Sequence, residues 1–424
     1  MEPKPNSEKK SLLSSLGPGL ITGASDDDPS GIATYSQVGA QFGFGMLWTM
    51  LFSYPLMAGI QEASADIGRV TGRGIAGNLR RSYPNWLLIA MVLMLVVANT
   101  INLGADIGAM GDAVGLLIGG SKLLWSVVLA VSSLLLQVLM PYHRYVRVLK
   151  WLTLALFAYV GTVLVVRVPW GQAFHNTVVP SVTFDAPHIT SIVAVLGTTI
   201  SPYLFFWQAS EEAEDVHLSR TERTLKRHPE QAPYQIKRIG QDTFIGMGFS
   251  NLVAFFIILA VAATLNAKGI HDIQTSSQAA EALRPVAGNL AFLLFTLGIV
   301  GTGLLAIPVL AGSAAYAVGE ALHWPCSLER PFLHAKGFYF VLCTAILIGL
   351  GLNFMHINTI KALFWTAVIN GVAAGPIMVI TMLMGTNPKV MGEVTLRMRT
   401  RILGWTATVV MILASIVMFV YWGK

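Results

Sequence analysis

Three consecutive carboxylates, Asp26, Asp27 and Asp28, stand inside an apolar run and are followed at once by Pro29, Ser30 and Gly31. Ionised side chains at membrane depth are costly and mark functional positions. Proline removes a backbone donor and clashes with the preceding turn, and glycine bends freely. The helix is expected to open here, freeing carbonyls and leaving carboxylate oxygens turned toward the middle of the protein. Oxygen ligands of this kind suit a hard cation, and open backbone at such depth is tolerated where it is buried or lines a wet cavity. A second interruption lies in Gly197-Thr198-Thr199-Ile200-Ser201-Pro202-Tyr203, with Pro202 at the same depth in its span as Pro29. One such proline alone reads as a kink. Two interrupted spans at matching places point to an inverted-repeat transporter with its site at the midplane.

The elements that must hold these breaks are membrane helices. Of the 424 residues, 54% are hydrophobic and 12% charged, which describes a polytopic membrane protein and excludes a soluble globule. The 40 glycines suit close helix packing. Eleven apolar segments are long enough to span, at 16–43, 46–68, 86–118, 121–140, 148–168, 188–210, 241–265, 287–319, 338–355, 359–384 and 403–422. The whole chain, 1–424, then reads as one transmembrane domain. It has a cytoplasmic tail at 1–15, a first repeat at 16–168, a second repeat at 188–384 and an additional helix at 403–422. The polar start, Met1 to Ser15, shows no cleavable signal. Cys326 and Cys343 are too few for a disulfide framework or a cysteine metal site.

Orientation follows from the 28 lysines and arginines. With the N-terminus inside, most fall on the inner side, in the tail and in the loops around Arg69–Arg81, Arg144–Lys150, Arg220–Arg238, Arg330–Lys336 and Lys389–Arg401. Only Lys122, Arg167, Lys268, Arg284, Lys361 and Lys424 are left outside, so the positive-inside rule supports both the span count and a C-terminus outside. The net charge of +6 therefore needs no nucleic acid to explain it. The partners expected from the residues alone are a hard cation as substrate and the lipid bilayer, with no obligate protein partner. The largest polar insert, Glu211 to Gly240, reads as a solvated linker with a short helix.

At its two motifs the sequence resembles the Nramp family of divalent-metal transporters, and the resemblance runs over essentially the whole chain. Its landmarks are Gly17-Pro18-Gly19, the Asp28-Pro29 break, Gln61 with Gly68-Arg69-Val70-Thr71-Gly72-Arg73-Gly74, and the proline break of the sixth helix. The resemblance implies an all-α, LeuT-type fold with eleven helices, two inverted five-helix repeats, and broken helices 1 and 6. The departures are informative. The family's Asp-Pro-Gly-Asn is here Asp28-Pro29-Ser30-Gly31, so the metal-binding Asp is kept and the Asn is lost. The family's Met-Pro-His is here Ser201-Pro202-Tyr203, which removes a soft ligand and a histidine implicated in proton traffic. This pattern is similar to the branch of Nramp-related magnesium transporters.

Elementary chemistry points the same way. A thioether favours softer transition metals, whereas Ser201 offers a hard oxygen. Gly31 and Ser201 are smaller than the residues they replace, so the cavity is expected to be wider. Mg2+ sheds water reluctantly and keeps several waters when bound. Asp28, Thr198, Ser201 and carbonyls near Gly31 and Thr198 then form the expected ligand set for a largely hydrated ion. Read alone, Thr198 and Ser201 are equally ordinary small residues at a helix contact. By register Asp106 matches a third-helix acid that the family uses in proton release, but the preceding acid of that path falls at about Leu103. Asp106 is either a remnant of that relay or a ligand through water. Asn370 is a tenth-helix candidate for closing over the ion. Asp26 and Asp27 either line a vestibule or bond to the broken helix ends. Glu62 and Asp66 are expected near the inner end of the second helix in a solvated or snorkelling role. The histidines fall mostly in loops, with His143 and His356 interfacial, and none are paired at zinc spacing.

These readings lead to Mg2+ uptake, with Mn2+ as a second cargo, by alternating access in a bacterial inner membrane and without obligatory proton coupling or any cofactor. Gating is expected at the outer half of the first helix and the inner end of the sixth. The alternative within the family is a proton-coupled Mn2+/Fe2+ symporter. A sodium-coupled carrier of organic solutes fits three clustered acids poorly. An enzyme or ATP-driven pump lacks a nucleophile–base pair, a zinc helix motif and a Walker loop.

Overall fold

Backbone polar groups have no water to bond in a bilayer core, so a chain of this composition is driven into helices. A computed structural model describes residues 18–140, 149, 151–219, 221–328, 332–355 and 357–422. The anticipated tail at 1–15, Gly17, and His143, Arg144, Arg147, Lys150, Arg220, Arg330, His356 and Lys424 lie outside the described residues. The described residues hold helices and no strand. The first half of the chain contains α1 (Pro18–Asp26), α2 (Pro29–Phe42), α3 (Trp48–Thr71), α4 (Ile75–Ser82), α5 (Asn85–Ile118), α6 (Lys122–Leu139), α7 (Phe157–Val165) and α8 (Trp170–Val178). The second half contains α9 (Ala186–Thr199), α10 (Pro202–Leu218), α11 (Ala232–Thr264), α12 (Ala291–Leu322), α13 (Lys336–Leu352), α14 (Thr359–Thr386) and α15 (Met398–Tyr421).

Both expected breaks are present. Helix α1 stops at Asp26 and α2 starts at Pro29. Asp28 is the N-cap in extended backbone, and its carboxylate accepts from the Gly31 amide. An acidic cap followed by proline at the first helical position is a strong start signal, so residues 26–29 both end one helix and begin the next. Helix α9 stops at Thr199, Ile200 and Ser201 leave helical geometry, and α10 begins at Pro202. The pair α9–α10 is almost wholly surrounded by protein, while α6 and α15 lie at the rim.

All eleven anticipated segments contain helix, but their lengths differ from expectation. Eight described stretches could cross a membrane singly by length and apolar content, and α2 with α3, bent by 109°, supplies a ninth. Among its described residues the fifth segment holds a short 3-10 turn, Leu152–Leu156, and the short helix α7. The insert at 211–240 is not a free linker. Helix α10 runs on to Leu218, α11 begins at Ala232, and the loop between them buries Leu225 and bonds through Lys226 N to Val70 O at 3.0 Å.

Small residues set the helix spacing. A Cβ on Gly197 would collide with the Ala367 carbonyl of α14. Rigid backbone cannot retreat as a flexible side chain can, and overpacking of this kind costs about 1–3 kcal/mol or more. Gly197→Leu is therefore expected to lower the melting temperature sharply in a detergent thermal-shift assay. An unchanged melting curve would show that α9 and α14 do not pack this tightly.

Candidate metal-substrate site

Asp28 is positioned by its own cap. Its Oδ1 accepts from Gly31 N and from Ser30 Oγ, both at 2.7 Å. Its Oδ2 faces the other way and accepts from Asn102 Nδ2 of α5 at 2.9 Å. Asn102 Nδ2 also bonds Asp106 Oδ2 at 3.0 Å, and Asn102 Oδ1 accepts from Asn370 Nδ2 of α14 at 3.3 Å. On the opposite side Gly31 leaves room for α9: a Cβ there would lie 3.0 Å from Thr198 Oγ1 and 3.5 Å from the Asp26 carbonyl. Ser201 Oγ bonds back to the carbonyls of Gly197 at 2.9 Å and Thr198 at 2.8 Å. The fold thus joins Asp28, Gly31, Thr198, Ser201, Asp106 and Asn370 in one connected cluster at the two breaks.

The cluster is sealed. Asp28, Asn102, Asp106, Thr198, Ser201 and Asn370 are all buried. It is also rich in acceptors, because Asp106 Oδ1, Asn370 Oδ1 and Asp26 Oδ1 have no hydrogen-bond partner. A buried acceptor without a donor costs about 1–3 kcal/mol, and a bound cation removes that cost. Among the described residues no three His, Cys, Asp or Glu side chains are grouped so as to hold a metal by themselves. An ion here would be met by carboxylate, hydroxyl, amide and backbone oxygens, which is hard-cation chemistry.

Asn102 is the residue that sequence reasoning missed. Its signal was an amide four residues before Asp106 in an apolar helix, on the same face. Tyr203, in place of the family's histidine, bonds the Ser25 carbonyl at 3.3 Å and so ties α10 to the last turn of α1. Gln61 of α3 donates to the Leu204 carbonyl at 2.8 Å and to Gln208 Oε1 at 2.6 Å, holding the start of α10 from the other side.

The remaining acids depart from expectation. Asp26 and Asp27 neither line an open vestibule nor bond to the broken helix ends; both accept from Ser250 Oγ of α11, at 2.6 and 3.2 Å. Glu62 and Asp66 are not solvated but buried. Glu62 pairs with Arg397 and Arg399 and accepts from Thr400 Oγ1 at 3.1 Å, which anchors the start of α15. The reason is tertiary: α15 brings its basic first turn across the end of α3. Beside them Glu212 pairs with Arg238 at 2.6 Å, and Arg69 pairs with Glu222. Burial pushes the Glu222 carboxyl up, but the hydrogen bond and charge of Arg69 outweigh it and hold the group below its ordinary value.

Known proteins agree with this architecture. The profile of the family described as Nramp, natural resistance-associated macrophage protein-like, matches residues 19–421. The divalent metal cation transporter MntH of Pectobacterium carotovorum subsp. carotovorum (strain PC1) is 27% identical over 353 residues, covering 81% of each chain. That of Yersinia pestis (strain Pestoides F) is 25% identical over 408 residues, 93% of this chain and 92% of the other. Among solved structures, a manganese transporter of Eremococcus coleocola gives a TM-score of 0.78 at 15% identity, over 98% of this chain and 88% of that one. MhsT in complex with L-phenylalanine gives 0.63 at 12% identity, over 97% and 98%. These likenesses show a LeuT-type fold, and the profile match shows more: this chain is a member of the Nramp family.

Proposed function

We propose that this protein is a secondary transporter of divalent metal cations that takes up Mg2+, with Mn2+ as a second cargo, by alternating access. The observation that carries this reading is the sealed cluster at the paired breaks, whose six anticipated ligands offer only oxygen to a cation. The names of the MntH relatives support divalent metal transport. The hard donor set, with Ser201 where a thioether would select softer ions, supports Mg2+. Asp28 is the charged ligand. Thr198, Ser201 and the carbonyls near Gly31 and Thr198 contribute neutral oxygens, and Asp106 and Asn370 act from α5 and α14, all around an ion that keeps most of its water. The repeats at 16–168 and 188–384 rock against each other about this point, with helix 403–422 appended. The distribution of basic residues supports an N-terminus in the cytoplasm and a C-terminus outside a bacterial inner membrane.

Proton coupling is not obligatory in this reading, because Tyr203 replaces the histidine and Leu103 stands where a relay acid would be. The membrane potential suffices. A divalent cation entering a negative interior gains about 4.6 kcal/mol per 100 mV, or about three decades of accumulation. A proton-coupled Mn2+/Fe2+ symporter is the second reading, favoured by the manganese transporter among the structural neighbours and by Asp106, which Asn102 joins to Asp28. Uptake into proteoliposomes at a fixed negative potential separates them, with Mg2+ and Mn2+ compared and internal pH recorded. Mg2+ entry without acidification is expected. Mn2+ entry with acidification and no Mg2+ entry would establish the symporter instead.

A further inference from the structure

The end of the bundle that carries Arg69 and Arg238 holds a second charged feature, which the metal site does not use. A cavity of about 450 Å3 opens there. Its walls carry Arg73, just after α3; Arg81 of α4; Lys226 and Arg227 of the α10–α11 loop; Lys389, just after α14; and His217 of α10. Among the described residues no carboxylate lines it. The nearby acids are engaged elsewhere: Glu320 accepts from the amides of Gly74 and Gly77, both at 2.8 Å, and Glu222 pairs with Arg69.

The cleft is built rather than merely decorated. Asn78 Nδ2 bonds Thr71 Oγ1 at 2.9 Å, the Arg73 carbonyl at 3.0 Å and the Gly74 carbonyl at 2.9 Å, which fixes the turn between α3 and α4. Lys226 N bonds the Val70 carbonyl at 3.0 Å, and Lys226 Nζ bonds the carbonyls of Lys389 at 2.9 Å and Val390 at 2.6 Å, locking the loop to the chain after α14. Sequence-distant cations are thereby held facing one space. The side chains of Arg73, Arg81 and Arg227 make no hydrogen bond or ion pair among the described residues. This crowding has an electrostatic cost. Partial burial, then Arg81 and Arg227, lower the proton affinity of Arg73 against the opposing pull of Glu320. Partial burial, then Arg81 and Arg73, do the same to Lys226. Basic loops that serve only membrane orientation need no such convergence.

We propose that this cleft binds a phosphate-bearing anion, whether the headgroup of an anionic lipid or a soluble phosphate compound. Guanidinium forks match phosphate oxygens in pairs, and the cavity lies in the size range of small-ligand sites. A bound anion would tie the α10–α11 loop to the ends of α3 and α14.

The test is independent of which cation is carried. Full-length protein in detergent, with chelator and at low salt, is titrated calorimetrically with inorganic pyrophosphate. In parallel, protein from nanodiscs of mixed phosphatidylglycerol and phosphatidylcholine is examined by native mass spectrometry for retained lipid. Saturable pyrophosphate binding identifies a soluble ligand, and selective retention of phosphatidylglycerol identifies a headgroup. Either is expected to weaken about tenfold or more in Arg81→Gln/Arg227→Gln, which removes two charge-assisted contacts. Arg167→Gln/Lys268→Gln, elsewhere on the surface, removes the same net charge and is expected to change nothing. Arg81→Gln alone serves if the double variant does not fold. No saturable binding in either arm, or equal weakening in the two double variants, would overturn the proposal.

Discussion

Asp28→Asn is expected to abolish cation uptake while leaving the chain folded. Asp28 has two separable duties. Its Oδ1 caps α2 by accepting from Gly31 N, and its charge supplies the one carboxylate of the first break that bonds Asn102. Asparagine keeps an acceptor for the cap, so α2 should start where it does now. It removes the charge and one of the acceptor sites that meet Asn102. Alteration of a residue that merely supports a metal ligand costs about 10–100-fold, so loss of the ligand itself should exceed about 100-fold in initial uptake rate. Asp28→Ala should add a stability defect of about 1 kcal/mol from the lost cap. Proteoliposome uptake and thermal melting, run on both variants, separate the two duties. Uptake by Asp28→Asn at the native rate would remove Asp28 from the cation path.

Ser201→Met tests the choice of cation. The Ser201 hydroxyl has a single hydrogen, directed to the carbonyls of Gly197 and Thr198, so its lone pairs remain available to an ion or its water. Methionine removes that oxygen, adds a soft sulfur and fills space next to a buried break. Mg2+ uptake should fall about tenfold or more, the worth of one polar contact to a charged group. Inhibition by Cd2+, a soft probe, should strengthen at the same time. Both are read in one competition assay at fixed potential. Undiminished Mg2+ uptake in the variant would mean that residue 201 does not face the ion and that selectivity is set elsewhere.

Much of the architecture was legible in one dimension because its causes are local. Apolar segments of spanning length, acids beside a proline, and a cap directly before proline at a helix start are contiguous signals. From them the two breaks at Asp28-Pro29 and Ser201-Pro202 fall where expected, and the family resemblance carries the LeuT-type fold. The ends of elements were less legible. Helix α11 begins at Ala232 within a stretch that reads as polar linker, and its Arg238 finds a buried partner in Glu212 that the sequence does not announce.

What only the tertiary structure decided is which polar groups share a space. Asn102 links Asp28 to Asp106 and Asn370 because α5 and α14 cross at the first break, a meeting of residues 74 and 268 positions apart. Asp26 and Asp27 turn to Ser250 for the same kind of reason, and Glu62 becomes a buried anchor because the first turn of α15 lands on it. The basic cleft likewise exists only after loops from the beginning, middle and end of the chain converge. Hydropathy and helix-breaking chemistry act over a few neighbours in sequence. Hydrogen bonds, ion pairs and like-charge crowding act over a few ångströms in space, and packing alone chose those neighbours.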